Sequence, residues 1–226
     1  MTAQVAHEIK NPLGSVGLAA QVLELRVAND DVALDVVHRI ENSVDHLTRI
    51  VGELSQFARP IELTTETVDV RRLIDDVLAS IDDRIIEKSI RVVRTHTVET
   101  LPVELDAKEI RKAMLNVLIN AVDASEEGAS IEVTLARQTE AAGAMVFAVT
   151  DHGQGMDDET LRRLFEPFFT TKARGTGLGM AITRNIVELH NGTIAVDSSP
   201  GRGTTVTLTL PLVPVSNPLV GAREVR

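Results

Sequence analysis

The sequence predicts an α-helical hairpin followed by an α/β sandwich. Two observations indicate this arrangement. Through roughly the first sixty residues, apolar side chains recur with a heptad period. Beyond them, short β-rich segments alternate with helical ones, and several strands follow one another without a helix between them. We therefore expect a domain at 1–59, a second at 60–216 after a linker at Pro60, and a frayed tail at 217–226.

The first domain should consist of two amphipathic helices. The polar stretch 28–31 between them predicts a turn that caps the second helix. Two helices alone cannot bury two apolar seams, so we expect a homodimer that forms a four-helix bundle. The seams comprise Ile9, Leu13, Val16, Ala20, Leu23 and Val27 on the first helix, and Val37, Ile40, Val44, Leu47, Val51, Leu54 and Ala58 on the second.

The segment HEIKNPLG at 7–14 places polar residues outside the first seam. The register puts His7 and Asn11 on the solvent side, one helical turn apart. Pro12 removes a helix hydrogen bond and should bend the helix just beyond them. Core packing does not require a histidine beside Glu8 here, so the pair is a candidate for chemistry.

The second domain should be a mixed sheet with helices on one face. Predicted strands span 67–70, 90–95, 131–136, 145–150, 193–197 and 204–210. Predicted helices span 71–88, 107–125, 157–164 and 180–190.

Composition excludes several classes of function. The chain has no cysteine, so it has no disulfide framework and no thiolate metal site, which fits a reducing cytoplasm. We expect no signal peptide and no membrane helix. A net charge of −10 with 2% aromatic residues argues against a nucleic-acid surface. An acidic chain that handles a polyanion would need backbone amides and a metal ion.

Four segments of the second domain carry candidate binding residues: NVLINAVDA, DHGQGM, FEPFFTTK and GTGLGMA, in that order. Asn116 and Asn120 lie one turn apart on a predicted helix, although exposed amides are also common on helix surfaces. Asp151 opens a glycine turn after a predicted strand, a pattern that an ordinary turn shares. GTGLGMA leads directly into a helix, where free amides favour phosphate, although such loops also occur as plain connections.

Taken together, the four segments resemble the ATP-binding domain of bacterial sensor histidine kinases, the GHKL or Bergerat fold shared with gyrase, Hsp90 and MutL. HEIKNPLG resembles the phosphoacceptor box of the same family, His-Glu-x-x-Asn-Pro, at the expected place upstream. The resemblance covers essentially the whole chain. It implies a dimerisation and histidine phosphotransfer domain followed by a catalytic domain.

The resemblance implies that the γ-phosphoryl group of ATP passes to His7 and then to an aspartate on a response-regulator receiver domain. Glu8 would be the neighbouring base or orienting acid, since a carboxylate can hold the imidazole tautomer and take a proton. Asn11 would orient a water that dephosphorylates the regulator, although a polar residue on a helix surface needs no such role.

The resemblance also implies a site for ATP and Mg²⁺. Asn120 resembles the magnesium ligand, and Asn116 a second contact near the phosphates. Asp151 resembles the carboxylate that accepts from the exocyclic amine of adenine, with Thr204 helping through a water. Gly153 and Gly155 would shape the adenine pocket, and the triphosphate would lie against Lys172, Gly175, Thr176, Gly177, Leu178 and Gly179.

FEPFFTTK resembles the phenylalanine box of the family. Phe165, Phe168 and Phe169 are expected mainly to pack under the lid of the nucleotide site. Arg174 would join Lys172 near the γ-phosphate, although short charged loops are usually just solvated.

The other histidines have structural interpretations. His38 and His46 lie off the second seam and should be surface residues. His96 is near a strand end, His152 lies within the first glycine segment, and His190 is near a helix end, where a cation is favourable. None pairs with another at metal-ligand spacing, so we predict no histidine metal site.

Some features depart from the family or leave alternatives open. The chain begins six residues before His7, so the first helix looks short and an upstream sensor domain or subunit is absent from this cytoplasmic segment. Asp123 stands where many relatives have another polar or basic residue, which leaves its role open. One alternative is a same-fold ATPase or Ser/Thr protein kinase, against which the exposed His–Glu pair argues. The other is a catalytically silent dimeric scaffold, against which the intact nucleotide segments argue.

Overall fold

The contacts of the chain divide it into two compact units. The first consists of Met1–Ile61 and Pro167–Leu178, and the second of Glu62–Glu166 and Gly179–Arg226. The computed structural model describes residues 2–57, 60–97, 101–138, 143–172 and 175–212. The predicted tail therefore lies outside the described residues. Within them, no helix is long and apolar enough to cross a membrane.

The first unit contains a helical hairpin formed by α1 (Thr2–Arg26) and α2 (Asp31–Phe57). Asp30 caps α2, because its Oδ1 accepts the N–H groups of Val32 and Ala33 at 3.1 and 3.0 Å. The predicted capping turn is confirmed. Helix α1 continues through Pro12.

Only part of the second heptad seam is buried within one chain. Val37, Val44 and Val51, each seven residues apart, are 5%, 9% and 7% exposed. The alternate positions Ile40 and Leu47 remain 37% and 46% exposed. One half of the seam packs on α1, and the other half leaves an apolar face of the kind that a four-helix bundle buries between subunits.

The second unit is built on a mixed five-stranded sheet of order β2-β4-β5-β7-β6. Strands β2 and β4 are parallel and the other neighbours are antiparallel, while β1 and β3 form a separate antiparallel pair. The strands are β1 (Glu66–Asp69), β2 (Arg91–His96), β3 (Pro102–Leu105), β4 (Ser130–Gln138), β5 (Ala144–Asp151), β6 (Thr193–Ser199) and β7 (Gly203–Pro211).

Helices α5 and α7 pack on each other and on the sheet. Alternate residues of β5, from Met145 to Asp151, are buried, as a strand with one covered face requires. This confirms the predicted α/β sandwich. The helices are α3 (Val70–Ala79), α4 (Asp82–Glu87), α5 (Ala107–Ala124), α6 (Asp158–Arg163) and α7 (Gly179–Leu189).

The single helix predicted over 71–88 is wrong, because the chain forms α3 and α4 with a break between them. Ser80 ends α3, and its hydroxyl donates to the carbonyl of Val77 at 2.6 Å. Ile81 then leaves the helical conformation, with φ −120°, and its side chain is only 4% exposed. The break thus places an apolar side chain in the core.

Strand β3 had no predicted counterpart. It has four residues and begins at Pro102, a residue that usually argues against a strand but is tolerated at its first position. Val103 and Leu105 are buried, and β3 gains its strand partner from β1, which is remote in sequence.

Candidate functional site

The predicted phosphoacceptor segment lies on α1. The side chains of His7 and Glu8 are outside the part of the molecule that the structure describes. Asn11 is exposed, one turn further along the helix, and its carbonyl accepts the Ser15 hydroxyl at 3.2 Å. The Asn11 side chain is therefore accessible from solvent, as its predicted role requires.

The two asparagines of α5 are half-buried. Asn116 Nδ2 donates to the carbonyl of Gly179 at 3.0 Å and to Thr183 Oγ1 at 3.3 Å. These bonds attach the first turn of α7 to the middle of α5. Asn116 therefore holds Gly179, the first residue of α7, against α5, and Asn120 lies one turn further along α5.

Asp151 is the last residue of β5 and is 5% exposed. Its Oδ1 accepts the N–H of Gly153 at 2.9 Å, which forms the tight turn expected after the strand. A Cβ at Gly153 would lie 2.1 Å from the carbonyl oxygen of Ala124, at the end of α5. The loop that carries Asp151 therefore packs, backbone to backbone, against the helix that carries both asparagines.

Two further glycines close the same loop. Gly155 has φ +66°, and a Cβ there would lie 2.0 Å from the carbonyl oxygen of Ser199. Gly203 has φ +84°, and a Cβ there would lie 2.0 Å from the carbonyl oxygen of Asp151. The loop that carries the buried carboxylate of Asp151 is therefore enclosed by close backbone contacts at three glycines.

Thr204 lies opposite Asp151 in the pairing of β5 with β7. Its Oγ1 is 2.9 Å from Ser198 Oγ, which also accepts the N–H of Met156 at 2.9 Å. The hydroxyl that was predicted to help Asp151 is thus held by a serine on β6. The position of Ser198 could not be predicted from the sequence, because it depends on the register of β6 with β7.

The remaining glycine-rich residues belong to the first unit. The Lys172 side chain is exposed, and its carbonyl accepts the N–H of Gly175 at 3.0 Å. Gly177 has φ +69°, and its carbonyl accepts the N–H of Phe168 at 3.0 Å. Leu178 is fully buried. Arg174 lies outside the described residues.

Thr176 makes a contact that the sequence patterns did not reveal. Its hydroxyl donates to the carboxylate of Glu53 on α2, within the first unit. Glu53 also lies 3.6 Å from Arg49, measured between Oε1 and Nη1. The Thr176 hydroxyl is therefore engaged, and what Thr176 can offer a phosphate is its backbone amide.

The three phenylalanines do not all pack as predicted. Phe168 is 56% exposed and has φ +68°, a conformation that non-glycine residues rarely adopt. Phe165 is half-buried and lies under the guanidinium group of Arg184, with 5.6 Å from Cζ to the ring centroid. Phe169 is also half-buried. Phe168 is therefore exposed instead of packed, and its backbone N–H bonds the glycine-rich loop at Gly177.

His190 directly follows the end of α7, in agreement with the predicted place near a helix end. It is 9% exposed, its Nε2 accepts the N–H of Asp106 at 3.0 Å, and its Nδ1 donates to the Ile186 carbonyl at 2.8 Å. In this arrangement Nε2 is the acceptor and Nδ1 is the donor.

Asp106 is the N-cap of α5 and is itself buried. Burial alone would raise the pKa of its carboxyl group. The N–H groups of Thr64 and Glu109, at 2.8 and 3.0 Å, oppose this, and with the nearby His190 they hold the pKa below its ordinary value. Two contacts join α5 to α7. The Asp106 backbone N–H bonds His190 just past the end of α7, and the Asn116 side chain bonds Gly179 at its start.

His38 is exposed, as predicted for a surface residue, and its Nε2 lies 3.2 Å from Glu24 Oε1 on α1. With Glu41 these residues place three ligand atoms within 4.8 Å of one another, a grouping that the sequence did not predict. The 3.2 Å contact between Glu24 and His38 accounts for the closeness of two of the three, and such groups are common at protein surfaces without an ion.

Two families match the chain in succession. Residues 1–63 match the His Kinase A (phospho-acceptor) domain. Residues 105–214 match the family described as histidine kinase-, DNA gyrase B-, and HSP90-like ATPase.

Full-length relatives align across both parts. Sensor histidine kinase ZraS of Escherichia coli K12 is 37% identical over 214 residues, which cover 94% of this chain and 45% of the relative. Signal transduction histidine-protein kinase AtoS of the same strain is 30% identical over 220 residues, which cover 97% of this chain and 36% of AtoS. The chain thus spans about half the length, or less, of the curated relatives that it matches.

Solved structures share the fold. Full-length ShkA in complex with AMPPNP has a TM-score of 0.77 and 27% identity, covering 96% of this chain and 46% of ShkA. Histidine kinase ThkA in complex with the response regulator protein TrrA has a TM-score of 0.73 and 26% identity. The match covers 96% of this chain and 62% of the ThkA chain.

Proposed function

Since this chain belongs to the family of bacterial two-component sensor histidine kinases, as their phosphoacceptor and ATP-binding core, we propose that it transfers the γ-phosphoryl group of ATP to His7 and then to an aspartate of a response regulator. The observation that carries the proposal is the environment of Asp151. Its buried carboxylate lies in a loop whose walls are backbone, in a chain that matches both domains of a histidine kinase.

The nucleotide would be held mainly by the second unit. Asp151 would accept a hydrogen bond from the exocyclic amine of adenine, and Thr204 would contribute through a water. Gly153 and Gly155 would let the ring approach the backbone. Asn116 would act near the phosphates by holding the Gly179 carbonyl, and ShkA, a solved relative, has AMPPNP bound.

The triphosphate would be neutralised without a strongly basic surface. The amides of Gly175, Thr176, Gly177, Leu178 and Gly179 are of the kind that bind phosphate oxygens, and Lys172 adds one cation. The side-chain oxygen of Asn120 is a suitable hard ligand for Mg²⁺, which when bound supplies charge stabilisation for phosphoryl transfer.

At His7 the chemistry is nucleophilic substitution at phosphorus. One nitrogen of the neutral imidazole forms a bond to the γ-phosphorus, the bond to the bridging oxygen breaks, and ADP leaves with that oxygen. Glu8 would hold the tautomer and take the ring proton. In the second transfer a carboxylate oxygen of the regulator replaces the histidine nitrogen. ThkA, a solved relative, is in complex with a response regulator.

The test is incubation with γ-labelled ATP and Mg²⁺, comparing the parent with His7→Gln. We expect label that requires His7, survives alkali and is lost in acid, because a phosphoramidate is acid-labile. Acid-stable label would instead identify a Ser/Thr kinase. Bound nucleotide without label would identify a silent scaffold, and ATP hydrolysis without label a same-fold ATPase.

A second activity is proposed at Asn11. Its exposed side chain lies one turn from His7, where it could orient a water towards the phosphoaspartate of a docked regulator. Asn11→Ala should slow dephosphorylation of the regulator and leave His7 labelling intact. Ser15→Ala on the same helix is the matched control, and equal dephosphorylation by both variants would contradict the role.

The assembly proposed for this core is a homodimer through the hairpin, with domains at 1–59 and 60–216. Its exposed heptad positions and its match to the phospho-acceptor family support dimerisation. We propose that the core works in the cytoplasm and receives its signal from a sensor domain or subunit outside this chain, since its relatives are about twice as long or longer.

A further inference from the structure

Lys88 makes an unusual set of contacts at the end of α5. It follows α4, and its Nζ donates to the carbonyl oxygens of Val122, Asp123 and Ser125 at 2.9, 3.0 and 2.9 Å. An ammonium group has three N–H donors, so this one side chain uses all of them on backbone carbonyls at the C-terminal end of α5. None of these acceptors is a side chain, so the contacts do not depend on what residue 123 is.

The last turn of a helix leaves four carbonyl groups without helical partners. In α5 the first of these, Ala121, is taken by the N–H and the hydroxyl of Ser125, at 3.1 and 2.8 Å. The next two carbonyls, those of Val122 and Asp123, accept hydrogen bonds from Lys88 Nζ. The last carbonyl, that of Ala124, lies against Gly153, and a Cβ at Gly153 would be 2.1 Å from its oxygen. A cation at this helix end is also favoured by the helix dipole.

Lys88 is held in place by the sheet. Its own carbonyl accepts the N–H of Gly128 at 2.9 Å, and three residues later Arg91 N–H donates to Ala129 at 2.9 Å as β2 begins to pair with β4. The ammonium therefore approaches α5 from a rigid support. The loop of Asp151 reaches the same helix end at a different carbonyl, that of Ala124, against which Gly153 packs.

We propose that Lys88 is a positioning residue for the nucleotide. By fixing the last turn of α5, it sets the position of Asn120 one turn earlier and the surface on which Gly153 rests. The inference rests on the proposed function, because it assigns that site a support that does not itself touch ATP.

The experiment measures the affinity of AMPPNP with Mg²⁺ by titration calorimetry, well below the unfolding midpoint of every variant. Lys88→Met keeps the length of the side chain and removes its donors, and we expect the dissociation constant to rise about tenfold, as when a supporting partner of a ligand is removed. Lys88→Arg keeps donors at this helix end and should recover much of the affinity.

Arg84→Met is the matched control. Arg84 is a second cation at the same helix end, but it reaches only the side chain of Asp123, 3.8 Å away, and is 57% exposed. We expect its removal to change the dissociation constant by less than about twofold.

A purely stabilising role would lower the unfolding midpoint of Lys88→Met and leave the dissociation constant at its parent value, and that result would overturn the inference. So would failure of Lys88→Arg to recover affinity. If the parent itself bound no AMPPNP, the proposed function would fail together with the inference. If only the Lys88 variants behaved otherwise than expected, the inference alone would fail. Should Lys88→Met not fold, Lys88→Gln replaces it with the same deciding outcomes.

Discussion

Buried side chains are distributed very differently in the hairpin and in the sheet unit. In the described part of the hairpin, the buried apolar residues are Ala20, Val37, Val44 and Val51. The sheet unit instead encloses large side chains with no exposed surface, such as Phe147. A layered sheet and helices close a core within one chain, whereas two helices share only one line of contact.

The sheet unit thus closes its core within one chain, whereas the hairpin leaves an apolar face that a second copy would cover. Unfolding of the sheet unit should not depend on protein concentration, while the stability of the hairpin should rise with concentration, because association stabilises it by mass action.

The largest effect is expected from Phe147→Ala. Phe147 is fully buried on β5, so its truncation should lower the free energy of unfolding of the sheet unit by about 4 kcal/mol through lost burial and a cavity. Denaturant unfolding at two protein concentrations measures it. Val93→Ala, on β2 at 42% exposure, is the control and should cost far less. Equal losses would show that the sheet unit has no closed core.

The next effect is on association of the hairpin. Leu47 is a seam residue that remains 46% exposed in one chain. Leu47→Glu should raise the dissociation constant of the dimer by about a hundredfold, or about 3 kcal/mol, because it buries an unpaired charge between subunits. Sedimentation equilibrium measures the change. Val32→Glu, at 78% exposure and off the seam, should leave the dimer intact. A dimer that tolerates both charges would place its interface elsewhere.

A smaller effect is expected from Asp106, which caps α5 in the sheet unit. Asp106→Ala should cost about 1 to 2 kcal/mol of unfolding free energy by removing the acceptor for Thr64 and Glu109. Asp106→Asn keeps an acceptor and should cost less. If both variants unfolded at the same denaturant concentration as the parent, the cap would be unimportant.

The same residue predicts a pH dependence. Its pKa is lower in the folded chain than in the unfolded one, so folding favours the charged form. The stabilisation that this charged carboxylate provides is fully present above the pKa of the unfolded chain, about 3.9. It is lost as the pH falls through the lower pKa of the folded chain. The stability difference between parent and Asp106→Asn should therefore shrink as the pH falls below about 4. A constant difference would contradict the shift.

The smallest effect is expected at an exposed ion pair of the hairpin. Glu24 and His38 are each about half exposed, at 42% and 49% of their side-chain surface. Glu24→Gln should change the unfolding free energy by less than about 0.5 kcal/mol. Thermal unfolding in low and high salt measures it, and a large salt-sensitive loss would show that polar contacts, rather than the seam, hold the hairpin.

Periodic and local features were predictable from the sequence. The heptad spacing that includes Val37 and Val44 predicted α2, a separate seam that starts at Ile9 predicted α1, and the polar turn 28–31 predicted the cap of α2. Asp151 was predicted to end a strand and open a glycine turn, and it does both. These features depend on residues close together in the chain, so the pattern of residue types suffices to indicate them.

Features that depend on remote partners were not predictable. Lys88 reaches carbonyl groups more than thirty residues away, and any residue type can supply a carbonyl. Ser198 contacts Thr204 only through the register of two strands. For His190 the sequence shows the nearby helix end but not the Asp106 N–H that its ring accepts.

The backbone contacts of the Asp151 loop determine which positions of this chain can diverge. Gly153, Gly155 and Gly203 each meet a carbonyl oxygen at about 2 Å from where a Cβ would stand, so a saturation library should recover only glycine at these positions. Their partners contribute main chain, and Ala124 and Ser199 should therefore accept other residues freely. The shape around Asp151 can then persist in descendants whose surrounding side chains have largely been replaced.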